Sequence, residues 1–282
     1  MRAEIISIGT ELVTGSNLDT NAQWLSRALS SIGVQVRFHV TVGDDFVENI
    51  ATLKLAIERS DLVVVTGGLG PTADDLTHAA LADVAGVKLV EDPDSLAVIR
   101  AMFARRNRPM PERNVVQALF PEGATPIPNR HGTAPGIWME VGAAVVVCLP
   151  GVPREMYGMY EEEIAPRLEA RFGGGRATAF HTVKVYGLGE SHVEEMLGDL
   201  TRRGRDPEIG ITASEATISL RIISHAATPA EARAKAERDA AEIRRLLGDW
   251  IFAEGDEELQ DVVGALLLAR GQTVATAESC TG

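Results

Sequence analysis

Cysteine is scarce in this 282-residue chain, with Cys148 and Cys280 the only two. They lie far apart, one in a buried-looking apolar segment and one near the chain end, so neither a disulfide framework nor a cysteine metal knuckle is expected. A reducing, cytoplasmic compartment fits that usage. No apolar run approaches the ~20 residues that a membrane-spanning helix needs. The opening Met1-Arg2-Ala3-Glu4, ahead of Ile5-Ile6-Ser7-Ile8, lacks the apolar stretch of a signal peptide, so no membrane partner is expected. Basic residues are also in deficit: 27 Lys and Arg stand against 40 Asp and Glu, a net charge of −13. That field repels polyanions and argues against a general nucleic-acid surface, while small phosphate ligands stay open if cations or backbone amides neutralise them.

Apolar residues make up 45% of the chain and charged residues 24%, enough aliphatic surface for sizeable cores. At this length two folded domains are expected, with a search for a third warranted. The first half alternates strand-like and helix-like segments, the pattern of a parallel sheet with helices on its faces. Strands are expected at Ile5 to Ile8, Val34 to Val42 and Leu62 to Val65, then at Ile137 to Glu140 and Ala143 to Leu149. Amphipathic helices are expected around Ala22 to Ile32, with Gly33 as the stop, and around Phe46 to Ile57. Others follow at Leu76 to Ala85, Leu96 to Arg105 and Glu155 to Phe172. Gly173-Gly174-Gly175 reads as the most flexible point and a domain boundary, giving a first domain over residues 1–173.

Residues 176–255 then read strand (Phe180 to Tyr186), helix (Ser191 to Leu200), strand (Ile209 to Thr212), strand (Thr217 to Ile223), helix (Pro229 to Leu247) and strand (Trp250 to Phe252). This β-α-β-β-α-β order is the split arrangement of small α+β modules. Beyond Gly255, a helix stripe of Leu259, Val262, Val263, Leu266 and Leu267 precedes a strand beginning at Thr273 to Ala275. Residues 256–282 are too few for a core of their own.

Three loops leave strand ends in the first domain: Gly9-Thr10-Glu11, Thr66 to Asp75, and Pro150 to Met156. In open α/β sheets ligands sit beyond the carboxyl ends of the strands. The middle loop, Thr66-Gly67-Gly68-Leu69-Gly70-Pro71-Thr72, carries three glycines that let backbone amides approach phosphate oxygens near a helix start. Its plainer alternative is a glycine-rich turn with Asp74 or Asp75 as helix N-cap; three glycines with Thr66 and Thr72 exceed what such a turn needs. Asp74, Asp75, Glu11 and Asp44 are expected to converge there. Carboxylates beside a diphosphate repel it unless a divalent cation lies between them, so the charge pattern implies a metal, with Asp74, Asp75 and Asp44 as its candidate ligands. For each carboxylate alone, a cap or a solvated charge is the alternative.

Arg130-His131-Gly132-Thr133-Ala134-Pro135-Gly136 is a fourth candidate loop, in which Thr133 can hydrogen-bond a ligand and Gly136 permits close approach. His131 reads as a surface or capping residue. Arg105, Arg106 and Arg108 read as a solvated basic helix end favoured by the helix dipole rather than an anion site.

Four motifs occur in order: Ile8-Gly9-Thr10-Glu11-Leu12; Thr66 to Thr72 with Asp74-Asp75; Gly132-Thr133-Ala134-Pro135-Gly136; and Leu149-Pro150-Gly151-Val152-Pro153 with Glu155-Met156. Together they resemble the competence/damage-inducible CinA family. The resemblance implies an α/β, three-layer MoaB/Mog-like (molybdopterin-binding-like) domain with a mostly parallel sheet, then a small α+β KH-like domain and a C-terminal nicotinamide-nucleotide amidase domain. For the first domain it implies hydrolysis of ADP-ribose to AMP and ribose 5-phosphate, dependent on a divalent metal (Mg, Mn or Co) and on potassium, in a homodimer. On that reading Asp74, Asp75 and Glu11 are catalytic. The nucleotide is held by Gly9, Thr10, Thr66, Gly67, Gly68, Leu69, Gly70, Pro71, Thr72, Thr133, Pro135, Gly136, Gly151, Pro153 and Glu155.

Ala277-Glu278-Ser279-Cys280-Thr281-Gly282 is similar to the amidase nucleophile segment, with Ser279 at the attacking position. That domain is expected to be truncated here, and a hydroxyl nucleophile without a base in reach is inert. The KH-like region carries Gly187-Leu188-Gly189-Glu190 where RNA-binding KH modules use GxxG, and 11 basic against 13 acidic residues between Arg176 and Glu254. A spacer or dimer-contact role is expected for it. Two rivals stand beside the hydrolase: a module that binds molybdopterin or a nucleotide without turnover, and nucleic-acid binding by the middle domain, which the charge disfavours.

Overall fold

Runs of β-branched residues too short for helices and buried on both sides organise the first half of the chain. The computed structural model describes residues 1–172, 177–214 and 216–280. It separates into two compact units, residues 1–175 and 176–282; the expected hinge at Gly173 to Gly175 lies outside the described residues.

In the first unit, β1 (Arg2–Ile8), β2 (Gln35–Val42), β3 (Leu62–Thr66) and β8 (Ala144–Leu149) are parallel neighbours in the order β2-β1-β3-β8. Two antiparallel strands complete this sheet, β7 (Gly136–Val141) and β6 (Thr125–Ile127). Leu62 to Val65 and Ala144 to Leu149 are fully buried, because helices cover both faces and alternation has no solvent side to mark. On one face, Leu25 and Leu29 of α2 (Thr20–Ser31) and Met156, Ile164 and Leu168 pack on Ile5, Val64 and Val147. On the other, Leu53 of α3 (Phe46–Arg59) and Ala80 and Leu81 of α4 (Thr77–Ala85) pack on Ile6, Val65 and Val146.

Several boundaries move for identifiable reasons. The helix expected from Leu96 begins three residues earlier, as α5 (Pro93–Arg105), since Asp92 accepts a hydrogen bond from the Ser95 N–H and proline suits the first turn. The helix expected over Glu155 to Phe172 starts at Pro153 and runs as α6 (Pro153–Met159), a π turn (Tyr160–Ile164) and α7 (Ala165–Phe172). Pro166 would clash with the carbonyl four residues back in a regular helix, and the widened turn precedes it. The proline-rich passage contains a 3-10 turn (Glu112–Ala118) and short strands that periodicity does not reveal: β5 (Leu119–Pro121), which pairs with β4 (Leu89–Glu91), and β6. A four-residue helix, α1 (Thr10–Val13), occupies the loop after β1.

The second unit has the expected element order: β9 (Ala177–Tyr186), α8 (Glu190–Leu197), β10 (Glu208–Ser214), β11 (Thr217–Ala226), α9 (Pro229–Leu247) and β12 (Ile251–Glu254). Its antiparallel sheet runs β10-β11-β9-β12, and α9 lays Ala236, Ala240 and Ile243 against Val183, Leu220 and Ile222. The helix expected to reach Leu200 stops at Leu197, where Gly198 takes a positive φ of 51° and a 3-10 turn follows. Beyond α10 (Leu259–Ala269), Thr273 to Ala275 forms no strand; no neighbouring strand among the described residues offers it a ladder, and a lone strand leaves its backbone groups unpaired. No described helix is long and apolar enough to cross a membrane.

Candidate functional site

The parallel arrangement of β1, β3 and β8 brings their carboxyl ends to one edge, and the three loops that leave them form a cleft of about 610 Å³. The loop after β1 contributes Gly9 and Glu11, and the turn after β2 adds Asp44. The loop after β3 contributes Gly67 to Pro71 with Asp74 and Asp75, and the loop after β8 contributes Pro150 to Pro153 with Glu155. Thr133 and Ala134 come from the strand-to-strand connection ahead of β7, and Gln117 from the 3-10 turn.

Backbone makes the floor. Gly67 has φ +100° and a Cβ there would collide with the Ile8 carbonyl oxygen; Gly68 has φ +65° and a Cβ would strike the Thr77 hydroxyl. Both positions therefore require glycine for the loop itself, before any ligand is considered. A Cβ on Gly151 would lie 3.5 Å from the Gly67 Cα, so the loops after β3 and β8 meet glycine to glycine. The Gly67 N–H donates to the Leu149 carbonyl at 3.0 Å, and the Asn21 side chain donates to the Gly151 carbonyl at 2.7 Å.

Acid makes the rim. Glu11, Asp44, Asp74, Asp75 and Glu155 line the cleft, and among the described residues no lysine or arginine does. Asp75 Oδ2 accepts from the Thr72 N–H at 2.8 Å and from its hydroxyl at 2.5 Å. Asp44 Oδ2 accepts from the Thr10 N–H at 2.8 Å and from its hydroxyl at 2.7 Å. The proximity of the Thr72 side chain and of the residue's own backbone amide holds the Asp74 carboxyl below the usual carboxylate range, while the hydroxyl hydrogen itself goes to Asp75. Neither aspartate caps α4, whose N-cap is Leu76 with no side-chain hydrogen bond. Among the described residues no three His, Cys, Asp or Glu side chains stand together as a ready-made metal cage.

Several residues expected at the site stand outside the lining. Thr10 and Thr72 direct their hydroxyls to Asp44 and Asp75. Thr66 is buried within β3, and Pro135 lines a separate cavity. Gly136 is buried at the start of β7, where a Cβ would lie 2.7 Å from the Cys148 carbonyl oxygen. Ser279 is exposed and distant in sequence from all of these. His131 packs over Gly158 and stands 4.0 Å from Glu162, a surface role.

Sequence reading passes over three residues that shape the site. Asn129, 8% exposed, uses its full hydrogen-bonding capacity. Its Nδ2 donates to Ala134 O at 2.9 Å and Glu155 Oε2 at 2.6 Å, and its Oδ1 accepts from the His131 and Gly132 N–H groups at 2.9 Å each. Gln117 donates to the Leu69 carbonyl at 3.3 Å and accepts from Asn114 at 2.9 Å. His78 lies buried behind Asp75 with its ring edge-on to Phe120, and burial pushes its pKa down to about 4, against a smaller upward pull from Asp75. The available signals were slight: two amides three apart in an apolar segment for Gln117, and an asparagine opening a polar loop for Asn129.

Residues 4–170 match the family described as "Probable molybdopterin binding domain", and residues 181–253 match "Damage-inducible protein CinA KH domain". A "CinA-like protein" of Dictyoglomus turgidum is 45% identical over 282 residues, all of this chain and 68% of its own. A "Putative competence-damage inducible protein" of Desulforamulus reducens is 41% identical over the same length, again 68% of its own. Among solved structures, the protein CinA of Thermoplasma acidophilum, described as of unknown function, is 36% identical with a TM-score of 0.55, covering 61% of this chain and 98% of that one.

Proposed function

The chain belongs to the CinA family, and from that premise we propose that its first unit is a metal-dependent pyrophosphatase that hydrolyses ADP-ribose to AMP and ribose 5-phosphate. The observation that carries the reading is the pairing of a backbone floor with a rim of five carboxylates and, among the described residues, no cationic side chain. A diphosphate placed on that floor meets closely approaching main chain below and negative charge around it. Unscreened carboxylates would expel it, so the ligand this cleft suits is one that arrives with a cation.

Hard oxygen donors at Asp74 and Asp75 fit a divalent metal of the magnesium type, which takes one or two protein carboxylates and completes its shell with water and substrate phosphates; no preformed three-residue cage is required. When bound, the metal would screen the phosphates and polarise the P–O bond that breaks. The chain's own groups then have separable roles. Glycine-loop amides orient the phosphates, and the Thr72 N–H and hydroxyl fix the Asp75 carboxylate in one rotamer. Glu11 stands on the opposite loop as the candidate for holding the attacking water. Potassium belongs to the same proposal as a second, monovalent screen.

A second reading has its own support. The family matched by residues 4–170 is described by molybdopterin binding, and a site that binds such a ligand without turnover would share the floor and rim. Incubation with ADP-ribose, Mg²⁺, Mn²⁺ or Co²⁺ and potassium separates the two. AMP release that tracks protein concentration and stops with chelator supports the pyrophosphatase; calorimetric binding with no AMP under any of the three metals supports the binding module.

A further inference from the structure

The loop after β3 spends its acceptors and keeps its donors. The Gly67 carbonyl accepts from the Thr77 hydroxyl at 2.8 Å, the Gly68 carbonyl from the Thr77 N–H at 3.1 Å, and the Leu69 carbonyl from Gln117 Nε2 at 3.3 Å. Asn114 donates to Gln117 Oε1 at 2.9 Å, which leaves the Nε2 end for Leu69. Both captors are buried, Thr77 as the first residue of α4 and Gln117 within the 3-10 turn. By contrast, the N–H groups of Gly68, Leu69 and Gly70 make no hydrogen bond among the described residues, although all three residues line the cleft.

These captured carbonyls and unpaired N–H groups are opposite ends of the same three peptide units. In a trans peptide the C=O and the N–H share a plane and point in opposite directions. Fixing the Gly67 carbonyl on buried Thr77 therefore aims the Gly68 N–H away from the interior, and the same holds for Gly68 with Leu69 and for Leu69 with Gly70. Successive unpaired donors in a turn with positive φ at Gly67 and Gly68 form an anion-binding concavity. A carbonyl turned into the cleft would instead add its negative end to a rim that already carries five carboxylates.

We infer that Thr77 and Gln117 are positioning residues of the cleft: by capturing three successive carbonyls from the buried side, they set the polarity of the loop and present the Gly68, Leu69 and Gly70 N–H groups to the oxygens of a phosphate. The inference rests on the reading of the cleft as a phosphate site and deepens it. Neither residue touches the ligand; each acts through the peptide it holds. Loss of the Thr77 hydroxyl frees the Gly67–Gly68 unit to turn, and loss of the Gln117 amide frees the Leu69–Gly70 unit.

The test uses the full chain and inorganic pyrophosphate with Mg²⁺, and it reads binding rather than turnover. In the isotope-labelled parent, the Gly68, Leu69 and Gly70 amide protons should move downfield in NMR spectra as the probe is added. Thr77→Val keeps the shape and removes the hydroxyl; it should weaken binding by about tenfold or more in calorimetry and abolish the Gly68 shift. Thr77→Ser keeps the hydroxyl and should bind within about threefold of the parent. Gln117→Met should weaken binding by about threefold and abolish the Gly70 shift alone. Equal losses in the serine and valine variants would reduce Thr77 to packing. Parental affinity in Thr77→Val, or shifts in the parent confined to other residues, would overturn the assignment and leave the phosphate reading of the cleft intact. A parent that binds no pyrophosphate would overturn that reading and the assignment with it.

Discussion

Charged side chains meet opposite circumstances in the second unit and in the cleft of the first, the rest of which has ion pairs of its own such as Arg59 with Glu4. In the second, they find one another: Lys184 with Glu258 at 2.5 Å, Lys235 with Asp206 at 2.6 Å, Arg205 with Asp239, and Arg244 with both Glu254 and Glu237. Acid and base there neutralise locally, and the carboxyl of Glu254 is held below its ordinary range chiefly by Arg244. In the first, the five carboxylates of the cleft have neutral N–H and O–H partners or none from a cation. Acids gathered without a cationic partner suit a ligand that brings positive charge with it, whereas a self-neutralised sheet has no such need. The contrast accords with the site proposed for the first unit.

The largest expected effect comes from weakening the unanswered charge. Asp75→Asn keeps an oxygen to accept from Thr72 and removes one negative charge from the rim. ADP-ribose turnover should fall by about 100-fold or more, with the melting temperature unchanged, as AMP release and a thermal melt would show. Turnover at the parental rate would remove Asp75 from the reaction.

Acid should separate the units next. In the unfolded chain His78 titrates near its ordinary 6.5, and in the fold near 4. Between those values the unfolded chain binds the extra proton, so the first unit loses stability as pH falls from about 6.5 to about 4, by up to a few kcal/mol, and is unaffected by this group above that window. Glu254 has the opposite ionic form and a depressed folded pKa, so its contribution is complete above its ordinary 4.5 and is lost only as pH falls below that, through the folded value. Denaturation at pH 5 and pH 7, followed through Trp24 and Trp138 in a Trp250→Phe background, should therefore show a loss that His78→Phe abolishes.

Smaller still is the effect of opening an answered charge. Arg244→Ala leaves Glu254 with His181, 2.7 Å away, as its remaining partner, and should lower stability by about 1 kcal/mol or less for a partly exposed pair while ADP-ribose turnover holds. A matching drop in turnover would mean that the second unit serves the site. The smallest effect is none: the full chain should show no salt-sensitive retention on single-stranded RNA at physiological ionic strength, because the second unit presents 11 basic residues against 13 acidic ones between Arg176 and Glu254. Retention lost with added salt would contradict this.

Much of the architecture was legible because it depends on periodicity. Leu62 to Val65 announces a doubly buried strand by being apolar throughout, and Ala236, Ala240 and Ile243 announce a helix face by their spacing. The glycine loop and its two aspartates were likewise visible, since phi angles above zero and close backbone approach restrict the residue type. Hidden were features set by contacts distant along the chain. Nothing adjacent to Asn129 shows that its amide will reach Glu155, 26 residues on, and Thr72 looks like a phosphate ligand until its hydroxyl is seen on Asp75. The strand expected at Thr273 failed for the same reason, because a strand is defined by its neighbours and not by its own residues.

The meeting of Gly67 and Gly151 has one more consequence. A surface built from main chain has no rotamers to lose, so a guest settling there freezes almost nothing that was free before, and the entropy normally surrendered by lysine or arginine clamps is not required. By the same token such a surface cannot be retuned by turning a side chain. If the cleft holds a phosphate ester as proposed, discrimination between one such ligand and another falls to the side chains around the floor, among them Thr133 and Asp74.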